Sequence, residues 1–151
     1  MQAKKIVIAS DHGGYNLKKI LVNALVQLGY NVLDKGTDTA DCSVNYPDYA
    51  RAVAEAIRKQ QADRGILICT SGVGMSIAVN RYPFIRGALV FNQEMAHLCR
   101  AHNDANVLIF GAKFIKEKQA IACVEEFLNT EFEGGRHVCR VAQLERMDTD
   151  E

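Results

Sequence analysis

Short apolar runs of strand length alternate with amphipathic helical segments along almost the whole chain. The first run, KIVIA at 5–9, is apolar throughout, which is typical of a strand buried on both faces. From Leu17 to Leu28 the apolar residues recur every three or four positions, the pattern of a helix with one buried face. The alternation then continues, with strands predicted at 31–34, 65–69, 86–91 and 107–110 and helices at 50–57, 76–81, 93–101 and 121–128. This order predicts an α/β fold, a parallel sheet of about five strands covered by helices on both faces.

The length of 151 residues fits one domain that buries its own core, and we predict a single domain over 1–151. The segment 35–47 between the second strand and the second helix is a polar loop, long enough that it is expected to cover a site. After Gly134-Gly135 a last helix is expected at about 136–147, followed by a polar tail at 148–151 that should fray.

The charge balance gives no electrostatic reason to expect nucleic acid or a membrane as the main partner, because 18 basic residues stand against 18 acidic ones. No apolar run has the length of a membrane span, and the first residues lack the features of a signal peptide. The five cysteines never form C-x-x-C. A disulfide framework or a cysteine-based zinc site is therefore not favoured, and a cytoplasmic location is expected.

The third strand ends at Cys69 and enters a loop of hydroxyl residues and glycines, TSGVG at 70–74, that opens a helix. A strand-end cysteine is most often a small buried hydrophobic residue. Here, however, the backbone field at the start of a helix favours the thiolate, and glycine lets several amides turn toward an anion. The loop lacks the Gly-Lys-[Ser/Thr] of a P-loop, the arginine of a cysteine phosphatase and the glycine spacing of a dinucleotide fingerprint. The loop suits a thiolate that abstracts a proton or makes a nucleophilic attack, with loop amides facing it that can bind an oxyanion.

Three other segments carry candidate functional groups. Asp11-His12 follows the first strand at the carboxyl edge of the sheet, where ligands bind in such folds, although Asp11 could equally cap a helix. His102 precedes Asn103-Asp104, a typical turn, and could transfer protons near neutral pH. Arg136 and Arg140 lie one helical turn apart, so they could hold a phosphate or form surface ion pairs with Glu131 or Glu145.

With these motifs in this order, the chain closely resembles the ribose-5-phosphate isomerase type B family, within the wider group that includes the galactose-6-phosphate isomerase subunits. The resemblance runs from about Lys4 to Arg140. It is carried by DHGG at 11–14, YPDYA at 46–50, GILICTSGVGMSIAVNR at 65–81, HNDANVLIFG at 102–111 and EGGRH at 133–137.

The resemblance implies a Rossmann-like sheet and a homodimer, or a dimer of dimers, in which each active site takes residues from both subunits and the C-terminal helix packs at the interface. Cys69 corresponds to the base that moves a proton between C1 and C2, His102 to the group that opens the furanose ring, and Ser71 to a residue that assists the intermediate. Substrate contacts are implied at Asp11, His12, Thr70, Gly72, Val73, Gly74, Asn103, Lys113, Arg136 and Arg140.

By this resemblance Met75 assigns the chain to the cysteine branch of the family, and Thr70 and Lys113 are two departures from the common pattern. Met75 stands where some relatives carry a glutamate base, and methionine cannot accept a proton. Thr70 stands where glycine is common, which narrows the loop. Lys113 stands where arginine is common, which keeps the charge but loses the bidentate fork.

The resemblance implies interconversion of ribose 5-phosphate and ribulose 5-phosphate, the pentose phosphate pathway reaction, without metal or cofactor. Two alternatives stay open. One is an isomerase of a six-carbon phosphosugar such as allose or galactose 6-phosphate; the intact HND and GGRH segments favour ribose. The other is a phosphosugar-binding module without catalysis, which would not need the thiol of Cys69. The histidines look too scattered along the chain to form a metal site.

Overall fold

One parallel sheet organises the molecule, which is described here by a computed structural model covering residues 5–145. Its strands are β1 (Lys5–Ser10), β2 (Asn31–Asp34), β3 (Arg64–Cys69), β4 (Gly87–Leu89) and β5 (Val107–Gly111). They lie in the order β2-β1-β3-β5-β4, and every pairing is parallel. The predicted five-stranded parallel sheet is confirmed.

The helices pack on both faces of this sheet. Those of the described residues are α1 (Tyr15–Gln27), α2 (Tyr46–Arg58), α3 (Val73–Val79), α4 (Gln93–Ala101), α5 (Glu117–Asn129) and α6 (His137–Leu144). Successive residues of β3 point to opposite cores: Ile66 and Ile68 join the core under α1, α4 and α5, whereas Leu67 and Cys69 join the core under α2 and α3. The site cysteine therefore lies on the α2/α3 face.

Several boundaries differ from the prediction: α2 and α5 each begin four residues before the predicted 50 and 121, and α3 and β4 differ as well. The helix expected at 76–81 begins three residues earlier, because Gly72 adopts a left-handed conformation (φ 79°) that turns the chain directly into α3. Gly74 is inside this helix for a packing reason, since a Cβ atom there would lie 2.8 Å from the ring of Tyr46. The strand expected at 86–91 shortens to Gly87–Leu89 at the edge of the sheet.

The C-terminal helix expected at 136–147 is α6, which runs from His137 to Leu144, and its only buried residue is His137. The end of the expected helix and the tail at 148–151 lie outside the described residues.

The polar loop after β2 continues the sheet hydrogen bonding beyond Ser10. The amide of Ser10 donates to the carbonyl of Gly36 (2.8 Å), and the amide of Thr37 donates back to Ser10 (2.9 Å). The start of the loop is tied to α1, because Nζ of the buried Lys18 donates to both carboxylate oxygens of Asp34 at 2.7 and 2.8 Å. Asp34 in turn accepts the amide of Gly36 at 2.9 Å. These contacts fix the loop beside the end of β1.

The pair of Lys18 and Asp34 should respond asymmetrically to mutation. The lysine side chain is 3% exposed and the aspartate side chain 41%. Asp34→Asn leaves a buried ammonium without its counter-charge, whereas Lys18→Met leaves a carboxylate that water can reach. We expect the free energy of unfolding to fall by about 2–3 kcal/mol in Asp34→Asn and by about 1 kcal/mol in Lys18→Met, measured by urea denaturation at pH 7. Equal losses would contradict this account of the pair.

Candidate active site

Cys69 ends β3, beside Gly111 at the end of β5, and only 4% of its surface is exposed. The amide of Gly72 donates a hydrogen bond to its Sγ atom at 3.2 Å. A backbone N–H directed at sulfur stabilises the thiolate, which is the reactive form of cysteine. Met75, at the glutamate position of some relatives, is fully buried in the same core. Cys69 is thus the group at this position that can act as a base.

The loop after Cys69 is held in shape by its own contacts. A Cβ atom on Gly72 would lie 2.4 Å from Leu89 and 2.9 Å from the amide nitrogen of Gly111, so only glycine fits there. The amide of Val73 donates to Oγ of Ser71 at 3.2 Å. Two loop amides are therefore already engaged, those of Gly72 and Val73. Within residues 5–145 the amides of Ser71 and Gly74 have no acceptor, and they are the ones available to an oxyanion.

Asp11 and His12 lie at the same carboxyl edge. The carboxylate of Asp11 is buried and accepts the amide of Gly14 at 3.1 Å, so it caps the short 3-10 turn His12–Gly14, as the simpler interpretation of this residue predicted. The Nδ1 atom of His12 accepts the amide of Val44 from the long loop at 3.1 Å. The proton of the neutral ring is therefore on Nε2, which is free to donate to a ligand.

Thr70 and Lys113 complete this edge. The Thr70 hydroxyl fills the space in which a side chain on Gly13 would lie, so a Cβ atom on Gly13 would clash with Oγ1 of Thr70. The amide of Lys113 donates to the carbonyl of Thr70 at 3.0 Å. Gly13, Thr70 and Lys113 border a cavity of about 590 Å³ that also reaches Lys116.

His102 and Asn103 lie at the opposite edge of the sheet. Helix α4 starts after β4 and ends at Ala101, before β5 begins at Val107, which pairs with Gly65 at the start of β3. Cys69 lies four residues beyond Gly65 on β3, a distance of about 13 Å along the strand. The sequence alone did not place the histidine relative to the thiol; the structure separates them within one chain.

The turn that carries His102 is braced by two arginines. Asp104 has a positive φ of 49° and accepts hydrogen bonds from Arg100 (2.8 Å) and Arg86 (3.2 Å). Arg100 is buried and also donates to the carbonyls of Ala105 and Thr130 at 2.7 and 3.1 Å. The HND segment is therefore a rigid turn.

His102 stacks on His137, with ring centroids 4.3 Å apart and planes inclined by 17°. Oε2 of Glu133 lies 4.0 Å from Nε2 of His102 and 3.8 Å from Nε2 of His137. The amide of Glu133 donates to the carbonyl of Ala101 at 3.0 Å, which ties this segment to the end of α4. Burial first, and then the neighbouring His102 and Arg136, lower the pKa of His137.

Arg136 and Arg140 lie beside this cluster, both exposed. The surface ion pairs considered for them do not form with Glu145, whose carboxylate binds Arg86 at 2.8 Å instead. Both arginines lie near the ring of His137.

The predicted site residues fall into two half-sites. The carboxyl half-site contains Asp11, His12, Cys69, the loop 70–74 and Lys113; the amino half-site contains His102, Asn103, Arg136 and Arg140. The sequence interpretation missed Glu133 and His137 as neighbours of His102, although both belong to the EGGRH segment it singled out. The prediction that the histidines are too scattered to form a metal site was wrong for His102 and His137. Their donor atoms and one of Glu133 all lie within 4.8 Å of one another.

The chain is similar to known proteins along nearly its whole length. The sequence model of the family described as Ribose/Galactose Isomerase matches residues 6–144. The chain is 43% identical to ribose-5-phosphate isomerase B of Escherichia coli K12, over 93% of this chain and 94% of the relative. None of the helices in the described range is both long and apolar enough to cross a membrane.

Two solved structures have nearly the same fold. Ribose-5-phosphate isomerase B of Clostridium thermocellum superimposes with a TM-score of 0.93 at 46% identity, over 95% of this chain and 97% of the other. The enzyme of the same name from Mycoplasma genitalium, solved with bound ribulose 5-phosphate, superimposes with a TM-score of 0.92 at 40% identity, over 97% of both chains.

Proposed function

The chain belongs to the Ribose/Galactose Isomerase family, and on this premise we propose that it interconverts ribose 5-phosphate and ribulose 5-phosphate. The observation that carries the proposal is the close match, along 97% of both chains, to a relative solved with ribulose 5-phosphate bound. The reaction is an aldose–ketose isomerisation of the pentose phosphate pathway, and we expect it in the cytoplasm.

In the proposed mechanism His102 transfers a proton to open the furanose ring, and the Cys69 thiolate then removes the proton from C2. The Gly72 amide, 3.2 Å from Sγ, donates a hydrogen bond to the sulfur. The free amides of Ser71 and Gly74 stabilise the negative oxygen of the enediolate. The resulting thiol returns its proton to C1 while the proton of the O2 hydroxyl passes to O1, which gives the ketose and regenerates the thiolate. Ser71 assists the intermediate through its hydroxyl.

We further propose that each active site combines the two half-sites from different copies of the chain in a homodimer. The separation of Cys69 and His102 to opposite edges of the sheet supports this arrangement, because one chain alone cannot bring them together. The partner subunit's His102 would then face Cys69, and the exposed Arg136 and Arg140 would bind the phosphate. In this arrangement α6 packs at the interface.

A turnover assay with a panel of phosphosugars tests the proposed substrate. The family description names galactose as well as ribose, so allose 6-phosphate and galactose 6-phosphate belong in the panel. We expect kcat/KM to be highest for ribose 5-phosphate, by at least about tenfold. A higher value for a six-carbon sugar would reassign the substrate, and no turnover of any sugar would favour a binding module.

Turnover should not require a metal ion. Every group in the proposed mechanism is a side chain or a backbone amide, so no step needs a Lewis acid. We expect the rate to stay within about twofold of its starting value after prolonged dialysis against EDTA, measured in metal-free buffer. Loss of activity that added Mg²⁺ or Zn²⁺ restores would contradict the amide-based mechanism.

A further inference from the structure

We propose that His102, Glu133 and His137 form a binding site for a divalent transition-metal ion such as Zn²⁺, and that the bound ion inhibits the isomerase. The ion is an inhibitor here, not a cofactor. The binding part of the proposal stands on the geometry of these three side chains; the inhibition part rests on the proposed function of His102.

The three side chains are close to a coordinating arrangement. In tetrahedral zinc sites with metal–ligand distances near 2.0–2.1 Å, neighbouring donor atoms lie about 3.3 Å apart. Oε2 of Glu133 is 3.8 Å from Nε2 of His137 and 4.0 Å from Nε2 of His102. The two distances must therefore shorten by about 0.5 and 0.7 Å, from 3.8 and 4.0 Å. They can do so, because the Glu133 side chain is 55% exposed.

His137 gives the second, independent indication of a ligand. Its side chain is 8% exposed, and its Nε2 atom is buried without a hydrogen-bond partner among the described residues. Buried polar atoms in folded proteins normally have a partner, so this nitrogen is a vacant donor position.

The ligand set selects the type of ion. Two imidazole nitrogens and one carboxylate oxygen suit Zn²⁺, Co²⁺ or Ni²⁺, whereas Mg²⁺ and Ca²⁺ prefer oxygen ligands alone. The side chains of His102 and Glu133 are 36% and 55% exposed, which leaves a fourth position open to water. In two nearly parallel rings the nitrogen lone pairs do not point at a common ion. The half-exposed ring of His102 must therefore tilt when the ion binds.

The affinity of this site for a metal ion is limited by the positive charges nearby. Arg136 and Arg140 lie close enough to disfavour positive charge on His137, and they oppose a cation in the same way. Glu133 provides the opposing negative charge. We therefore expect binding that a chelator reverses. An ion on Nε2 of His102 removes the lone pair that accepts a proton during ring opening, and turnover stops.

The binding test uses isothermal titration with Zn²⁺ in phosphate-free buffer. To remove competing thiols, Cys69 and the exposed Cys42 and Cys139 are replaced by serine in every protein tested. We expect one ion per chain in this background, and binding at least about tenfold weaker after Glu133→Gln or His137→Gln. Glu125→Gln, an exposed acid on α5, is the matched control and should leave binding unchanged. Circular dichroism confirms that each variant is folded.

The inhibition test uses the chain with its cysteines intact. Zn²⁺ should inhibit turnover, EDTA should restore it, and Glu133→Gln should raise the half-inhibitory concentration at least about tenfold. Absence of Zn²⁺ binding, or binding unaffected by both Glu133→Gln and His137→Gln, overturns the metal site and leaves the isomerase function standing. Binding at this site without inhibition upholds the metal site and overturns the ring-opening role of His102.

Discussion

Cys69→Ser is expected to lower the turnover of ribose 5-phosphate by about a thousandfold, the usual contribution of a general base. A serine hydroxyl fits the space of the thiol, but it is far too weak an acid to supply a base near neutral pH. Binding of a phosphosugar should change by less than about threefold, because the groups that hold the phosphate are untouched. Steady-state kinetics and calorimetry with ribulose 5-phosphate measure the two quantities.

Cys123 offers the matched control for loss of a buried thiol. It lies in the core under α1, α4 and α5, and burial raises its pKa to about 11, so it is protonated at neutral pH. Cys123→Ala should therefore keep most of the activity. Substantial turnover in Cys69→Ser would mean that another group is the base, and the proposed mechanism would be wrong.

Two inactive variants, Cys69→Ala and His102→Ala, should regain activity when their subunits mix. In a mixed dimer with shared sites, one site combines an intact Cys69 with an intact His102, and the other site carries both lesions. Random reassortment of equal amounts makes about half of the dimers mixed, so about a quarter of all sites should recover. Dimers purified through two different tags after co-expression should recover about half.

Two controls test whether recovered activity comes from active sites shared between subunits rather than from mixing as such. Mixing Cys69→Ala with Cys69→Ser should restore nothing, because both lesions fall in the same half-site. Size-exclusion chromatography of each variant checks that the dimer persists. Purified mixed dimers of Cys69→Ala and His102→Ala that stay as inactive as their parents would show that each histidine serves its own chain, and the shared-site proposal would fail.

Much of the fold was predictable from the sequence, because the hydrophobic pattern reports burial locally. The apolar run at 5–9 and the three- and four-residue spacing from Leu17 to Leu28 each reflect how one element faces the core, and both predictions agree with β1 and α1. The start of α3 was missed for a reason beyond the local pattern. Gly74 resembles a loop residue in the sequence, but it lies inside α3, where the ring of Tyr46 leaves no room for a Cβ atom.

The carboxyl half-site was also predictable, because in parallel sheets the ends of strands meet at one edge. Asp11 follows β1 directly and Cys69 is the last residue of β3, so their position depends on strand direction alone. The amino half-site was not predictable. His102 and Arg136 sit at helix ends, and α6, which carries Arg140, follows a connection whose path no periodicity indicates.

The sequence by itself therefore determined the α/β class and the position of Cys69 at the end of a strand, since these depend on short-range patterns of burial and residue type. Only the tertiary structure decided which functional groups meet. How α4 and α6 pack determines that His102 stacks on His137 and that Glu133 lies close to both. The connection from α4 to β5 also determines the distance from His102 to Cys69. Such long-range contacts are set by the packing of whole elements, which leaves no periodic signal in the residues that come together.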